Sequence, residues 1–154
     1  MLNIGLADII GLDMKTGASC VVGDFKGSLV LRYTYQRALD HSDPESLTYG
    51  NQLPYIPRHS GSADLSLEWR RWMFAWNTQL VGEKWSRSAN TADYRIEPWS
   101  VSDAVLSRTF DFGGRLPSLA ASIRLANIFD HRYQIVQGYP MPGRSVLVGI
   151  DISF

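Results

Sequence analysis

The last eleven residues, RSVLVGIDISF (Arg144–Phe154), carry the pattern that decides the fold. Apolar side chains occupy every second position of this stretch, and most of the positions between them are small or polar. The apolar set is Val146, Val148, Ile150, Ile152 and Phe154. Successive side chains of an extended chain point to opposite faces of a sheet. The stretch is therefore predicted to form a β-strand with one continuous apolar face.

The same period of two recurs along the chain, most regularly in Ser62–Trp69 and Ser118–Leu125. Four further segments follow it with interruptions. They are Ala7–Val22, Ser28–Leu39, Trp72–Trp85 and Pro98–Phe110. The alternation changes phase near Asp103, which suggests a β-bulge there. The pattern thus indicates an all-β chain, read as a single unit over residues 1–154, with about seven strands, several of them long enough to cross a bilayer as tilted strands.

The connections between these strands alternate in length. Three are short, namely Gly23–Gly27, Arg70-Arg71 and Asp111–Pro117, and three are long, namely Asp40–Pro57, Ser86–Glu97 and Asn127–Gly143. Bacterial membrane barrels have short periplasmic turns and long external loops. If Phe154 ends on the periplasmic side, all six connections fall on the side where that architecture places them. The sequence therefore favours an antiparallel up-and-down transmembrane β-barrel.

In such a barrel the apolar face contacts lipid and the polar face lines the interior. The residues predicted to face the interior are Ser62, Asp64, Ser66, Glu68, Asn77, Gln79, Arg124 and Asp151. The residues predicted to form interfacial aromatic girdles are Trp69, Trp72, Trp85, Trp99 and Phe154. A soluble β-sandwich shows the same alternation, because its apolar faces point to a core. Alternation alone leaves both architectures open.

Composition excludes several classes of function. The 154 residues contain 15 basic and 15 acidic side chains, a balance that argues against a nucleic-acid partner. A lone cysteine, Cys20, excludes an intrachain disulfide, and no apolar run is long enough for a transmembrane helix. The three histidines, His41, His59 and His131, lack metal-binding spacing, and no catalytic constellation is seen. We expect a protein that is not an enzyme and has no cofactor.

Two stretches near the C-terminus resemble a known family. Leu125–Tyr133 and Gly138–Arg144, followed by the alternating last strand, look like the C-terminus of TonB-dependent outer-membrane receptors, with Ile128 where leucine is usual. The motif residues are Asn127, Phe129, Tyr133, Tyr139, Pro140, Pro142, Gly143 and Arg144. Gly143 would give the backbone freedom at the strand entry, and prolines belong outside a hydrogen-bonded ladder. With a proline-rich lead at Leu53–His59, the resemblance extends from about Leu53 to Phe154.

The resemblance implies the C-terminal part of a 22-stranded barrel, closed by a plug domain that this chain lacks. Because the chain has about seven strands and no room for the plug, we expect it to be a truncated product or a partial sequence; no signal peptide is visible after Met1. The implied function is TonB-energised uptake of a scarce ligand, such as a ferric siderophore or cobalamin, across the outer membrane of a Gram-negative bacterium. Ligand contacts are expected in three loops, Asp40–Pro57, Ser86–Glu97 and Phe129–Gly143.

The implied partners are the TonB–ExbB–ExbD system, the outer-membrane lipid and the barrel-assembly machinery. That machinery would read a signal in the last strand, formed by Val146, Val148, Ile150, Ile152 and Phe154. Three arginines, Arg58, Arg124 and Arg144, could pair with carboxylates of the plug or of neighbouring strands. The alternatives are another outer-membrane β-barrel, namely a porin, an adhesin or an enzyme, and a soluble β-sandwich binding module.

Overall fold

The computed structural model describes residues 5–113 and 118–153, which form eleven strands and one short 3-10 helix at Ala92–Tyr94. The strands are β1 Ala7–Val22, β2 Phe25–Asp40, β3 His59–Trp69, β4 Trp72–Val81, β5 Lys84–Trp85, β6 Arg95–Ile96, β7 Trp99–Phe110, β8 Ser118–Ala126, β9 Gln134–Val136, β10 Tyr139–Pro140 and β11 Ser145–Ser153. Within these ranges no helix is long and apolar enough to cross a membrane. Phe154, predicted to end the last strand, lies outside the described residues.

Seven of the strands form one antiparallel sheet in the order β1-β2-β3-β4-β7-β8-β11. The remaining four form two small hairpins, β5–β6 and β9–β10, inside the long connections. Each large strand therefore pairs with its neighbours along the chain, as an up-and-down meander requires. Among the described residues β1 and β11 do not pair with each other, so the sheet is open. The prediction of about seven antiparallel strands is confirmed.

Two tight hairpin turns lie at one end of the sheet. Val22 pairs with Phe25 across Gly23-Asp24, and Trp69 pairs with Trp72 across Arg70-Arg71. Both turns need a left-handed residue, and Gly23 has a φ of 57° while Arg70 has a φ of 54°. Glycine adopts this conformation at little cost, whereas a side chain such as that of Arg70 is disfavoured there. The first turn is shorter than predicted, because β2 already begins at Phe25.

The long connections lie at the opposite end and span residues 41–58, 82–98 and 127–144. The second begins earlier than predicted, because β4 ends at Val81 rather than at Trp85. Gly82 donates its N–H to the carbonyl of His59 at 2.8 Å, and His59 is the first residue of β3. Because β3 begins at His59, the chain after Gly82 has no residue of β3 left to pair with. Trp85 belongs to the β5–β6 hairpin instead. Part of the connection predicted at Asp111–Pro117, residues 114–117, lies outside the described residues.

The register of the sheet separates its side chains into two faces. One cross-strand row runs Leu29, Leu65, Trp76, Ala104, Leu125 and Val146, and the next row runs Val30, Asp64, Asn77 and Asp103. All eight side chains predicted to face the interior lie on the face of Asp64, and the apolar set of β11 lies on the face of Leu65. We call these the polar face and the apolar face.

The bulge expected near Asp103 is absent from β7, because β7 pairs with β4 in continuous register from Trp99 to Arg108, while its pairing with β8 begins at Ala104. The side chains change character instead. At the long-loop end Trp99 lies on the polar face, where it packs against Tyr133 with ring centroids 4.6 Å apart, so its predicted place in a lipid-facing girdle is wrong. On the apolar face Ser102 shares a hydrogen bond of 2.8 Å with Thr78. The phase change therefore reflects loop packing and a polar cross-strand pair on an undistorted strand.

No second sheet covers the apolar face among the described residues. The few buried apolar side chains lie mostly toward the long-loop end, namely Ala38, Leu53, Ile96, Trp99 and Ala104. Along β11, by contrast, Val146 and Val148 are 62% and 68% exposed. A soluble sandwich would bury such side chains against a facing sheet. The described sheet therefore lacks the core on which the sandwich interpretation depends.

Candidate ligand-binding loops and polar wall

The first and second long loops are joined by side-chain hydrogen bonds. Asn90 accepts from the backbone N–H of Gln52 at 2.8 Å and donates to its carbonyl at 2.9 Å. Asn51 donates to the carbonyl of Ser88 at 2.8 Å, and Tyr55 donates its N–H to the carbonyl of Trp85 at 2.7 Å. The partners lie 30 or more residues apart, so these bonds hold the two loops as one unit.

The first loop is also anchored to the sheet. Gln52 is 2% exposed, accepts from the N–H of Ala38 at 3.3 Å and donates to the carbonyl of Ile56 at 3.2 Å. Lys84, at the base of the second loop, is 6% exposed, and its ammonium lies 5.8 Å from the ring centroid of Tyr55. Burial lowers the pKa of Lys84, because removal from water disfavours its charged form. The loop base is thus packed rather than solvated.

The third loop is hydrogen-bonded to the second through the side chain of Gln137. Gln137 hydrogen-bonds to the hydroxyl of Ser86 and donates to the carbonyl of Asp93 at 2.7 Å. The second loop therefore sits between the first and the third. All three predicted ligand-binding segments come together at one end of the sheet, as the topology requires.

The predicted motif residue Asn127 forms the corner at which the third loop begins. It has a φ of 49° and is 4% exposed. Its side chain accepts from the N–H of His131 at 2.9 Å and donates to the carbonyls of His131 and Pro142, at 2.9 and 3.2 Å. One amide thus ties the start of the loop to its end.

The other motif residues support this corner in different ways. Asp130 accepts from the backbone N–H of Arg144 at 2.8 Å, and a Cβ on Gly143 would lie 2.7 Å from the same carboxylate. Gly143 is therefore needed for close approach, and it is not among the described residues with a positive φ. Pro140 lies outside the large sheet as expected, although it belongs to the two-residue strand β10. Phe129 and Tyr139 are exposed, and the ring of Phe129 lies 6.2 Å from that of Trp76.

A cleft of about 330 Å³ separates the third loop from the start of β7. It is lined by Arg95, Ile96, Glu97, Pro98, Trp99, His131, Arg132, Tyr133 and Gln134. Arg95 is neutralised by Glu83 and Glu97, both at 3.2 Å. No carboxylate lies within ion-pair distance of Arg132 in the described ranges. The cleft therefore combines aromatic walls with one uncompensated guanidinium.

Burial raises the pKa of Tyr133 in this cleft, and the negative charge of Asp103 adds to the effect. A raised pKa means that the neutral phenol stabilises the fold fully below the ordinary value of 10.0, and that this stability is lost as the pH rises through the folded-state pKa. We expect the free energy of unfolding to fall more steeply above pH 10 in the native chain than in Tyr133→Phe, which keeps the ring on Trp99. Denaturant unfolding in detergent up to about pH 11 measures the difference.

Tyr139→Phe serves as the control for this comparison, because it removes a phenol from a loop position that is 71% exposed. It should follow the native curve. Parallel pH curves for the native chain and Tyr133→Phe would contradict a role for the Tyr133 phenol in the stability of the loop.

The polar face carries a chain of paired charges across the sheet. Asp64 pairs with Arg32 on one side and accepts from the amide of Asn77 at 2.6 Å on the other. Asp103 lies opposite Asn77, pairs with Arg124 at 3.4 Å and accepts from the backbone N–H of Asn127 at 2.9 Å. The Asp103 carboxylate therefore connects the third loop to the polar face.

Of the three arginines expected to pair with carboxylates, Arg124 does so within the sheet, while Arg144 and Arg58 form backbone hydrogen bonds. Arg144 donates its backbone N–H to Asp130, and Arg58 accepts a bond from Gln36 through its carbonyl. In the described part of the chain no group of three or more His, Cys, Asp or Glu side chains is placed to hold a metal ion.

Sequence patterns pointed to Asn127 and Tyr133 but gave no sign of Gln52, Asn90 or Asp103. Gln52 and Asn90 are 38 residues apart, and neither lies in a periodic segment, so no local signal marks their contact. Asp103 was noted only for the phase change of β7. Its role as an acceptor for both Arg124 and Asn127 depends on how β7 lies against β8 and the corner that follows it.

Solved structures with the same arrangement are receptors and transporters. The ferric citrate transporter FecA in its unliganded form has a TM-score of 0.70 and 24% identity, covering 83% of this chain and 21% of that one. The siderophore receptor PiuA from Acinetobacter baumannii gives 0.73 and 14%, with 96% and 22% coverage. The ferric yersiniabactin uptake receptor FyuA from Yersinia pestis gives 0.58 and 21%, with 94% and 22% coverage. At these identities the likeness shows the fold.

The chain spans about a fifth of the length of each of these proteins. Over the described residues its sheet is thus part of a barrel wall that does not close on itself, as the resemblance implied. Residues 1–128 match the family described as TonB dependent receptor-like, beta-barrel. This match begins well before Leu53, where the resemblance was first seen, and it ends before Phe129, so the roles given to the later motif residues stay predictions. Since the match covers most of the sequence, the chain belongs to the TonB-dependent receptor-like β-barrel family.

Proposed function

We propose that this chain forms one section of the wall and of the external loops of an outer-membrane receptor that takes up a ferric siderophore with energy from TonB. Members of this family are outer-membrane proteins of Gram-negative bacteria. The observation that carries the proposal is the sheet itself, with one apolar face, one polar face, and every long loop at the same end. Such a sheet suits a wall between lipid and an aqueous interior.

An iron chelate is favoured over cobalamin by the named neighbours, which take up ferric citrate or ferric yersiniabactin. The cleft beside β7 has a compatible chemistry. Arg132 supplies an uncompensated positive charge for an anionic chelate, and the rings of Trp99 and Tyr133 supply flat apolar surface. The joined loops would present this cleft in a defined position, which lowers the entropy cost of binding.

The polar face suits contact with a separate plug domain. Its pairs Arg32–Asp64 and Arg124–Asp103 remain partly exposed, so further hydrogen bonds can form on that side. Movement of such a plug under TonB would open the path for the ligand. Insertion by the barrel-assembly machinery through the β11 signal remains a prediction, and the absence of catalytic activity likewise stays a prediction.

Uptake by cells tests the transport proposal. We expect deletion of the gene that encodes this chain to abolish uptake of one radiolabelled ferric siderophore, and collapse of the proton-motive force to abolish it equally in the parent strain. Loss of cobalamin or copper uptake with normal iron uptake would overturn the ligand class alone. Unchanged uptake of all these substrates would overturn the transport function.

A matched pair of variants tests the cleft. In Arg132→Gln we expect the concentration for half-maximal binding of the anionic ferric chelate to rise about two- to fivefold, as for loss of one solvent-exposed charge contact. Arg87→Gln is the control, because Arg87 lies in the second loop with its guanidinium 4.4 Å from the ring centroid of Tyr94 and does not line the cleft. Equal affinities of the two variants would exclude Arg132 from the binding site.

A further inference from the structure

Arg108 stands out on the apolar face of the sheet. The register places it in a cross-strand row near the short-turn end, composed of Phe25, Trp69, Trp72, Arg108, Ala121 and Ile150. Its side chain is exposed, and it is two residues from the end of β7. A fixed positive charge thus sits in a row that is otherwise aromatic or aliphatic.

The charge of Arg108 has no protein counter-ion within the described residues. The apolar face of the seven large strands holds one other arginine, Arg37, and that side chain lies 3.8 Å from Asp8 on the same face. The arginines of the nearby turns are also paired, Arg70 with Asp24 at 3.3 Å and Arg71 with Asp111 at 3.6 Å. Arg108 is therefore the arginine of this face that has no carboxylate partner among the described residues.

Aromatic rings hold the guanidinium in position. Its central carbon lies 4.9 Å from the ring centroid of Trp72 and 4.8 Å from that of Phe110. Stacking of this kind uses the flat faces of the guanidinium and leaves the N–H groups on its edge free to donate. The neighbour on β8 is the small Ala121, which leaves space beside the guanidinium for a second group.

We infer that Arg108 binds the phosphate of an anionic glycerophospholipid in the periplasmic leaflet of the outer membrane. The inference rests on the proposed membrane location, in which the short turns face the periplasm. An arginine on the lipid-facing surface is costly at the bilayer centre but tolerated near the interface. The forked N–H groups of arginine match two oxygens of a phosphate. An aromatic row at the same level is typical of the headgroup region.

Native mass spectrometry tests this site on the protein as it is expressed, extracted from outer membranes in a neutral detergent. Phosphatidylglycerol and phosphatidylcholine with identical acyl chains are the probes. We expect one phosphatidylglycerol to bind the native protein about fivefold more tightly than it binds Arg108→Gln, the size of effect of one basic residue at an anionic surface. Arg108→Lys keeps the charge without the fork and should lie between the two.

Arg37→Gln is the matched control, since it removes a paired guanidinium from the same face near its other end. It should bind phosphatidylglycerol like the native protein. Equal affinity of native protein and Arg108→Gln, or equal affinity for the two lipids, would overturn the site and leave the membrane location standing. Recovery of the protein from cells without detergent would overturn the membrane location and the lipid site together. If Arg108→Gln does not fold, native-like binding by Arg108→Lys would overturn the requirement for the fork.

Discussion

Replacing Leu65 by lysine is expected to lower the free energy of unfolding in bilayers by about 2–4 kcal/mol. Leu65 lies near the middle of β3, on the apolar face, with Leu29 and Trp76 as its cross-strand neighbours. In the proposed orientation the new ammonium would lie in the hydrocarbon region, where water cannot solvate it. Denaturant unfolding of the protein in lipid vesicles measures the change.

Ser66→Lys is the matched control for this prediction. Ser66 is the next residue of β3, on the polar face, with Ser28 and Ala75 as its neighbours. Its lysine would reach the aqueous side, so we expect a change of less than about 1 kcal/mol, within the range of ordinary surface substitutions. Equal losses at the two positions, or a larger loss at Ser66, would contradict the assignment of the apolar face to lipid.

Replacing Asn127 by alanine is expected to lower the free energy of unfolding by about 3 kcal/mol. The variant loses three side-chain hydrogen bonds and leaves the N–H of His131 and the carbonyls of His131 and Pro142 without their partner. It also places alanine in a left-handed conformation that asparagine tolerates better. Unfolding in detergent, together with hydrogen exchange of residues 127–144, measures the loss.

Two further substitutions divide this cost into its causes. Asn127→Gly relieves the left-handed backbone and should recover about 1 kcal/mol relative to alanine. Asn127→Asp keeps the acceptor for the N–H of His131 but loses both donated bonds, so it should remain well below the native chain. A loss of less than about 0.5 kcal/mol for Asn127→Ala would show that the corner does not depend on these bonds.

In a barrel of this family, Leu65→Lys and Asn127→Ala would affect different parts of the protein. A strand with a charge on its lipid-facing side and a loop without its corner would fail in different ways. The first would impair insertion, while the second would leave the sheet intact and loosen the loops that carry the proposed ligand cleft. Measured together, the two variants separate the membrane part of the proposal from the binding part.

Alternation in the sequence determined most of the sheet. A side-chain period of two is a local property of an extended chain, so Val146 to Ile152 and Ala63 to Trp69 could be placed on one face before any pairing was known. The alternation of short and long connections likewise placed the loops at one end. The tight turn at Arg70-Arg71 was visible as the gap between two regular strands.

Only the tertiary structure decided the site. The sequence predicts Trp99 in a lipid-facing girdle because it is an aromatic residue near a strand end, whereas the register places it on the polar face, where Tyr133 of the third loop packs against it. The bonds between Gln52 and Asn90 join loops that are distant in sequence. Nothing in the sequence around Arg108 marks it as a site. Only the register shows that its cross-strand row holds two tryptophans and no carboxylate. The period of two specifies which face of its strand a side chain occupies. The neighbours of that side chain depend on how the strands pair, and pairing is a property of the whole sheet.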